Sequence, residues 1–222
     1  MTSFLEGKLF SLFGICTMKL KPQAILFDMD GVLVDSFDSW LSALNESLAA
    51  FQHQPISKTQ FLQRHWGHDL QDTLVSMGYS MDIIPFCNAA YKHHLDKVVM
   101  YPEVPSTLDL LTSYKKAVIT NTPKVCTEQI LNKFHLSPYF DVVVTIDDVN
   151  KGKPFPEGIL KACDLLKVRP NQVILIGDTL SDVKAGKNAG CIVIGKNIKA
   201  DYTITRFDDL IDLFELPKNI KP

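Results

Sequence analysis

The sequence predicts an α/β fold, a doubly wound parallel sheet interrupted by an inserted all-helical segment, and three observations lead there. Short apolar runs rich in Val and Ile recur along the chain, each flanked by Gly, Pro, Asp or Asn. Runs of that length read as buried parallel strands. Longer amphipathic stretches separate them, the alternation that builds right-handed strand–helix–strand crossovers. One connection is several times longer than the dozen or so residues a crossover needs, and it carries helical patterns throughout.

The first run is Ala24–Asp28. Between Asp35 and Tyr101 there is no convincing strand, only helical stretches at Phe37–Phe51, Lys58–His65, Leu70–Met77 and Asp82–Val99. This segment leaves and rejoins the core beside the carboxyl end of the first strand, where open α/β sheets bind ligands. It is therefore expected to form a cap over a site. Further strands are predicted at Ala117–Asn121, Val142–Ile146, Val173–Gly177 and Cys191–Gly195, the last following Gly190 as a helix stop. Helices are predicted at about Val104–Ser113, Lys124–Phe134, Pro156–Leu166 and Thr179–Ala189. Met18 stands just before the first strand, so residues 1–17 read as an N-terminal extension from an upstream start. The expected organisation is a core of 18–35 and 101–222 with a helical cap of 36–100.

Composition narrows the class of function. The chain has 222 residues, 46% hydrophobic and 22% charged, ordinary values for a globular protein able to build a core without disulfides or structural metal. Lys and Arg total 23 against 25 Asp and Glu, a net charge of -2, which provides no broad positive field for nucleic acid. Five scattered cysteines form no CxxC pair, so reduced thiols and a cytoplasmic location are the expectation. No apolar run approaches the ~20 residues that span a bilayer. The apolar stretch Leu9–Cys16 follows Glu6 and Lys8 rather than the basic n-region of a signal peptide.

Two acidic clusters carry the chemistry. In Phe27-Asp28-Met29-Asp30-Gly31, a strand delivers Asp28 to its end, Asp30 follows two residues later, and Gly31 permits an unusual turn. Carboxylates so close repel unless a cation joins them or one holds a proton. A hard cation such as Mg²⁺ takes oxygen ligands and keeps places for water and phosphate. In Ile176-Gly177-Asp178-Thr179-Leu180-Ser181-Asp182, another strand ends at Asp178, and Asp182 lies one helical turn on, facing the same side. Turn and cap roles are the alternative for each cluster taken alone. Both occur at carboxyl ends of parallel strands, one edge of the sheet, where distant segments converge. Thr120-Asn121 ends a third strand with a hydroxyl and an amide suited to phosphate oxygens. Lys153, set between Gly152 and Pro154, offers an ammonium that a rigid segment could aim inward, with a solvated loop lysine as the alternative.

As an ordered set these motifs resemble the haloacid dehalogenase superfamily of hydrolases, in its branch of phosphoglycolate-phosphatase-like and phosphomutase-like members with a helical insert. The resemblance runs from Ala24 to Leu213 and includes Asp182, Ala185, Asn188, Ala189 and Gly190 after the second acidic loop, and Ala200-Asp201-Tyr202 beyond it. It implies a modified Rossmann core of strand order 5-4-1-2-3, which would bring Asp28 and Asp178 side by side. It also implies that Asp28 attacks phosphorus and becomes an aspartyl phosphate, while Asp30 serves as general acid and then general base. Mg²⁺ would be held by Asp28, the Asp30 backbone carbonyl, Asp178 and Asp182. The phosphoryl oxygens would be held by Thr120, the Asn121 backbone and Lys153, beside Gly31. The substrate would be a small phosphorylated metabolite.

Other readings are a phosphomutase, a receiver-type signalling domain, and a catalytically silent binding or assembly protein. Mutases of this group usually have a His shortly after the first motif, and Phe37-Asp38-Ser39-Trp40 has none. A receiver domain has no use for the helical insert. A dehalogenase would have no alkoxide for Asp30 to protonate. In the cap, Arg64, His65, Trp66, Gly67 and His68 stand near a helix boundary from which they could reach the site, with Arg64 or His65 expected to contact a second anionic or polar end of the substrate and a surface helix end as the alternative. The spacings of His65, His68, His93 and His94 match no standard zinc site. Departures from the family pattern are Glu103 in place of a glycine, the absence of glycine in Ser113–Lys116, and Thr122-Pro123 where phosphoglycolate phosphatases often have Lys.

Overall fold

The computed structural model describes residues 19–216. The expected extension, with its Leu9–Cys16 stretch, lies outside the described residues. In chain order, β1 (Ala24–Phe27) leads through β2 (Val34–Asp35) into four helices, α1 (Phe37–Ala50), α2 (Lys58–Arg64), α3 (Leu70–Met77) and α4 (Ile83–His93). The chain returns through β3 (Val99–Met100) and continues as α5 (Val104–Leu110), β4 (Lys115–Ile119), α6 (Lys124–Lys133) and β5 (Val142–Val144). It then forms α7 (Glu157–Leu166), β6 (Val173–Gly177), α8 (Leu180–Ala189), β7 (Ile192–Lys196), β8 (Tyr202–Ile204) and α9 (Leu210–Leu213).

Six strands form one parallel sheet in the order β5-β4-β1-β6-β7-β8. Counted without β8, this is the expected 5-4-1-2-3 arrangement. β1 is central and fully buried, and its alternate side chains enter two different cores. Ile25 and Phe27 face one layer, where Phe27 meets Phe140 and Phe207 at ring-centroid distances of 5.9 and 5.8 Å. Ala24 and Leu26 face the other, against Ile159 and Ala162 of α7. Burial on both faces explains why the strand reads as a continuous apolar run.

The first core continues without a break into the helical insert, where α1 packs along α4 and Trp40 stacks on Tyr91 with ring centroids 3.9 Å apart. Local signals set the helix ends. Ser57 opens α2 with a capping box completed by Gln60, and Asp69 caps α3 by accepting from the Asp72 N–H. The residues following α3 and α8, Gly78 and Gly190, take left-handed φ values of 71° and 83°, the usual helix stop.

Two expectations need correction. The segment between Asp35 and Tyr101 does contain a strand: β3 pairs antiparallel with β2, Val34 opposite Met100 and Asp35 opposite Val99. Accordingly the last insert helix stops at His93, with a single turn of 3₁₀ helix at Leu95–Lys97, instead of running to Val99. A two-residue strand is too short to display a periodicity. β8 also escaped the pattern, because two of its three residues are exposed at the sheet edge. No helix among the described residues is long and apolar enough to cross a membrane.

Candidate active site

The sheet gathers the predicted acids at the carboxyl ends of its central strands. Phe27 lies opposite Ile176 in the β1–β6 register, and the Asp28 N–H continues the ladder to the Ile176 carbonyl at 2.9 Å. Asp28 and Asp178 thus emerge from neighbouring strands. Thr120 follows β4 on the other side of β1, its N–H donating to Val144 at 3.0 Å.

Asp28 is buried, and its Oδ1 accepts from the Met29 N–H at 2.7 Å and lies 2.6 Å from the Lys153 ammonium. The same ammonium reaches Asp182 Oδ1 at 2.7 Å, while Asp182 Oδ2 accepts from the N–H and hydroxyl of Thr179 at 3.0 and 2.5 Å. Asp178 Oδ2 accepts from the indole N–H of Trp66 at 3.2 Å, and its Oδ1 is buried with no hydrogen-bond partner. One oxygen from each of Asp28, Asp178 and Asp182 lies within 4.8 Å of the others.

Such crowding perturbs Asp28, Asp178 and Lys153. Burial, then the neighbouring Asp182, raises Asp28 well above the usual carboxylate range, and Lys153 opposes that shift. Burial and Asp182 likewise push Asp178 up to about 7. Burial alone would lower Lys153, but Asp182 and Asp28 outweigh it and hold the ammonium above its ordinary value. Two buried carboxylates and a half-buried one against one cation, with an orphaned oxygen on Asp178, form a hard oxygen donor set that fits a dication such as Mg²⁺.

Asp30 is held differently. Its Oδ1 accepts from the Ser36 hydroxyl, and its Oδ2 from the hydroxyls of Thr120 at 3.2 Å and Thr122 at 2.7 Å. Its carboxylate is consequently engaged by hydroxyls and stands outside the three-acid group. The Asn121 side chain bridges to the backbone of Lys153. Its amide donates to the Lys153 carbonyl at 2.9 Å and its oxygen accepts from the Lys153 N–H at 2.8 Å. Asn121 therefore clamps the segment that aims Lys153.

Gly31 has a φ of +82°, and a Cβ there would stand 2.0 Å from Asp178 Oδ2. The Gly31 carbonyl accepts from Lys196 at 2.8 Å, an ammonium also 3.6 Å from the centroid of the Tyr101 ring. Gly31→Ala is expected to cost about 1–3 kcal/mol of stability from the backbone conformation alone and to displace Asp178. A guanidinium unfolding curve coincident with wild type would disprove this.

A cavity of about 310 Å³ opens onto these residues from the insert side. His65 lines it and is buried, whereas Arg64 is exposed and forms no part of its wall. Of the two cap residues expected to contact substrate, His65 alone lines this cavity. Phe61 in α2 and His65 just past its end are buried, while Arg64 is exposed.

The match to known proteins decides the family. Residues 25–196 match the model of the haloacid dehalogenase-like hydrolases. The chain belongs to that family. Relatives of this haloacid dehalogenase-like hydrolase include a phosphoglycolate phosphatase of Aquifex aeolicus, 30% identical over 87% of this chain and 97% of its own. A pyrophosphatase PpaX of Bacillus anthracis is 31% identical over 86% of this chain and 96% of its own. The fold is shared with CbbY from Rhodobacter sphaeroides, solved in complex with phosphate (TM-score 0.77, 21% identity, 86% of this chain and 96% of that one). It is shared equally with a HAD-superfamily hydrolase of subfamily IA from Geobacter sulfurreducens (TM-score 0.74, 23% identity, 87% and 100%).

Several residues of this site were not singled out as site residues from sequence. Ser36 and Thr122 fix Asp30, Thr179 fixes Asp182, and Lys196 braces the Gly31 turn. Trp66, expected only to be able to reach the site, touches Asp178. The one available signal was Thr122 as a departure from the family's usual Lys. Thr122→Val removes the closer of the two threonine contacts to Asp30 Oδ2 and is expected to lower kcat about tenfold and the melting temperature by several degrees, since one hydrogen bond to a charged group is worth about 1.5–3 kcal/mol. Steady-state kinetics beside a thermal melt would check it.

Proposed function

We propose that this hydrolase cleaves small-molecule phosphate monoesters through a phosphorylated Asp28, with Mg²⁺ as its cofactor. The observation that supports this best is the contrast between two carboxylates only two residues apart. Both contacts to Asp28 fall on Oδ1, leaving Oδ2 for attack on phosphorus. Asp30 is instead clasped through both oxygens by three hydroxyls, which orient it to exchange a proton with the leaving oxygen and later with water.

Asp28 would attack phosphorus in line while the ester oxygen departs with a proton from Asp30. Asp30, now ionised, would take a proton from water as that water attacks the aspartyl phosphate and frees Asp28. Lys153, fixed between Asp28 and Asp182, would keep the nucleophile ionised and offset charge on the phosphoryl oxygens. Thr120, the backbone at Asn121 and the turn at Gly31 would contact those oxygens. Asp28, Asp178 and Asp182, with the Asp30 carbonyl implied by family resemblance, would hold Mg²⁺. When bound, the ion supplies positive charge that lets an anionic nucleophile approach an anionic phosphate. The helices 36–100 would act as a cap that excludes bulk water during transfer. The names of the curated relatives, a phosphoglycolate phosphatase and a pyrophosphatase, agree with phosphoryl transfer.

The test is phosphate release from small monoesters with Mg²⁺ and with a chelator. Release should require the ion. Magnesium should also raise the melting temperature by relieving the repulsion among the three acids, by the equivalent of about 2.7 kcal/mol at a hundredfold excess over its dissociation constant. That stabilisation should shrink in Asp178→Asn. Chelator-resistant turnover at the wild-type rate would contradict the proposed cofactor.

A further inference from the structure

Resting on the phosphatase reading above, we infer that the leaving group this site takes is an uncharged alcohol bearing a flat ring or comparable apolar group, so that compounds carrying a second anionic group beside the reacting phosphate are its poor substrates. The inference comes from the cavity wall opposite the acids.

Charge is the first argument. Among the described residues, Lys153 is the only lysine or arginine lining the cavity, and it is already shared between Asp28 and Asp182. Asp69 and Asp147 also line the cavity. A second carboxylate or phosphate on the substrate would meet like charge, with no cation to receive it. Burial, and next His68 and Arg64, hold the His65 imidazole below its ordinary value, so His65 is neutral at neutral pH. Arg64, the one guanidinium nearby in sequence, faces solvent.

Surface chemistry is the second. Trp40, Leu44, Phe61, Leu70 and Ile84 form the insert's side of the cavity. One face of Trp40 is covered by Tyr91 at 3.9 Å, which fixes the indole as a rigid wall. Trp66 is pinned at its N–H by Asp178 and packs against Phe37 with centroids 5.2 Å apart. Flat, immobilised rings suit a flat or apolar partner. Two polar atoms complete the wall. Asn88 Oδ1 and His65 Nδ1 are buried, line the cavity and have no partner. Buried polar atoms are normally satisfied, so the leaving group should carry a hydrogen-bonding substituent beside its ring. The volume, about 310 Å³, admits a phosphoryl group with one compact ring system.

The experiment compares kcat/KM with Mg²⁺ for benzyl phosphate, 2-phosphoglycolate, glycerol 2-phosphate and inorganic pyrophosphate. The three esters all release alkoxides, so their order reports the pocket more than the ease of bond cleavage. Benzyl phosphate should exceed 2-phosphoglycolate and pyrophosphate at least tenfold, with glycerol 2-phosphate between. Equal or better use of 2-phosphoglycolate or pyrophosphate would overturn this inference while leaving the phosphatase reading intact. No turnover of any of the four would overturn both. Gln71→Lys, which adds a cation at an exposed position on the cavity rim, should narrow the benzyl-to-phosphoglycolate ratio about fivefold. An unchanged ratio would contradict the electrostatic argument.

Discussion

Asparagine in place of Asp28 is expected to lower kcat by about four orders of magnitude or more, the scale seen when a covalent nucleophile is removed, while the protein stays folded. The amide has nearly the shape of the carboxylate and keeps an oxygen for the Met29 N–H, but it has no negative charge with which to attack phosphorus. Nor should stability suffer. The substitution removes a buried anion that Asp182 and Asp178 repel, and Lys153 retains Asp182 as a partner. Mass spectrometry after an acid quench should find a phosphoryl group on the Asp28 peptide of the wild type and none in the variant. Turnover within tenfold of wild type, or a phosphoryl group on another residue, would remove Asp28 from its proposed role.

Methionine in place of Lys153 should do the reverse, damaging the fold as much as the chemistry. The two side chains have similar length, but the ammonium lies between carboxylates on residues 5% and 0% exposed, and is itself 5% exposed. Breaking such a group by removing one partner costs about 3–5 kcal/mol, and loss of the cation beside the reacting phosphate should cost a further factor of about 10²–10³ in kcat. Because the Lys153 pKa is raised in the fold, its stabilisation is fully present below the unfolded value near 10.5 and is lost only as pH rises through the folded value. In the variant the unpaired acids dominate. Asp28 binds its proton more tightly folded than unfolded, so the variant should gain stability as pH falls toward the carboxylate range. Guanidinium unfolding in chelator at pH 8 and pH 5 should show the deficit against wild type narrowing at the lower pH. A constant deficit would mean that packing, not charge, is what Lys153 supplies.

How much of this was legible depended on whether a feature is local. The central strands were, because burial on both faces forces a continuous apolar run, and the helix stop at Gly190 was, because a left-handed residue favours glycine. The strand-end positions of Asp28, Thr120 and Asp178 followed from the same signals. The facing of Arg64 and His65 was not legible, since adjacent residues at a helix end differ only in which neighbour they meet. Asn121 has the right chemistry for phosphate, and its side chain is also bonded to a loop 32 residues away. The Trp66–Asp178 contact joins positions 112 residues apart, and nothing in either segment announces the other. Hydroxyls such as Ser36 and Thr122 are too common to carry a signal before the fold brings them to Asp30.

The short ribbon of β2 and β3 bears on how the four helices would move. The outgoing and returning chains are hydrogen-bonded to each other there, so they behave as one strap, not two independent tethers. Any swing of the helices would therefore pivot beside Asp35, and Trp66, packed on Phe37 with ring centroids 5.2 Å apart, would lie close to that hinge. Such a displacement would first have to break the indole's contact with Asp178.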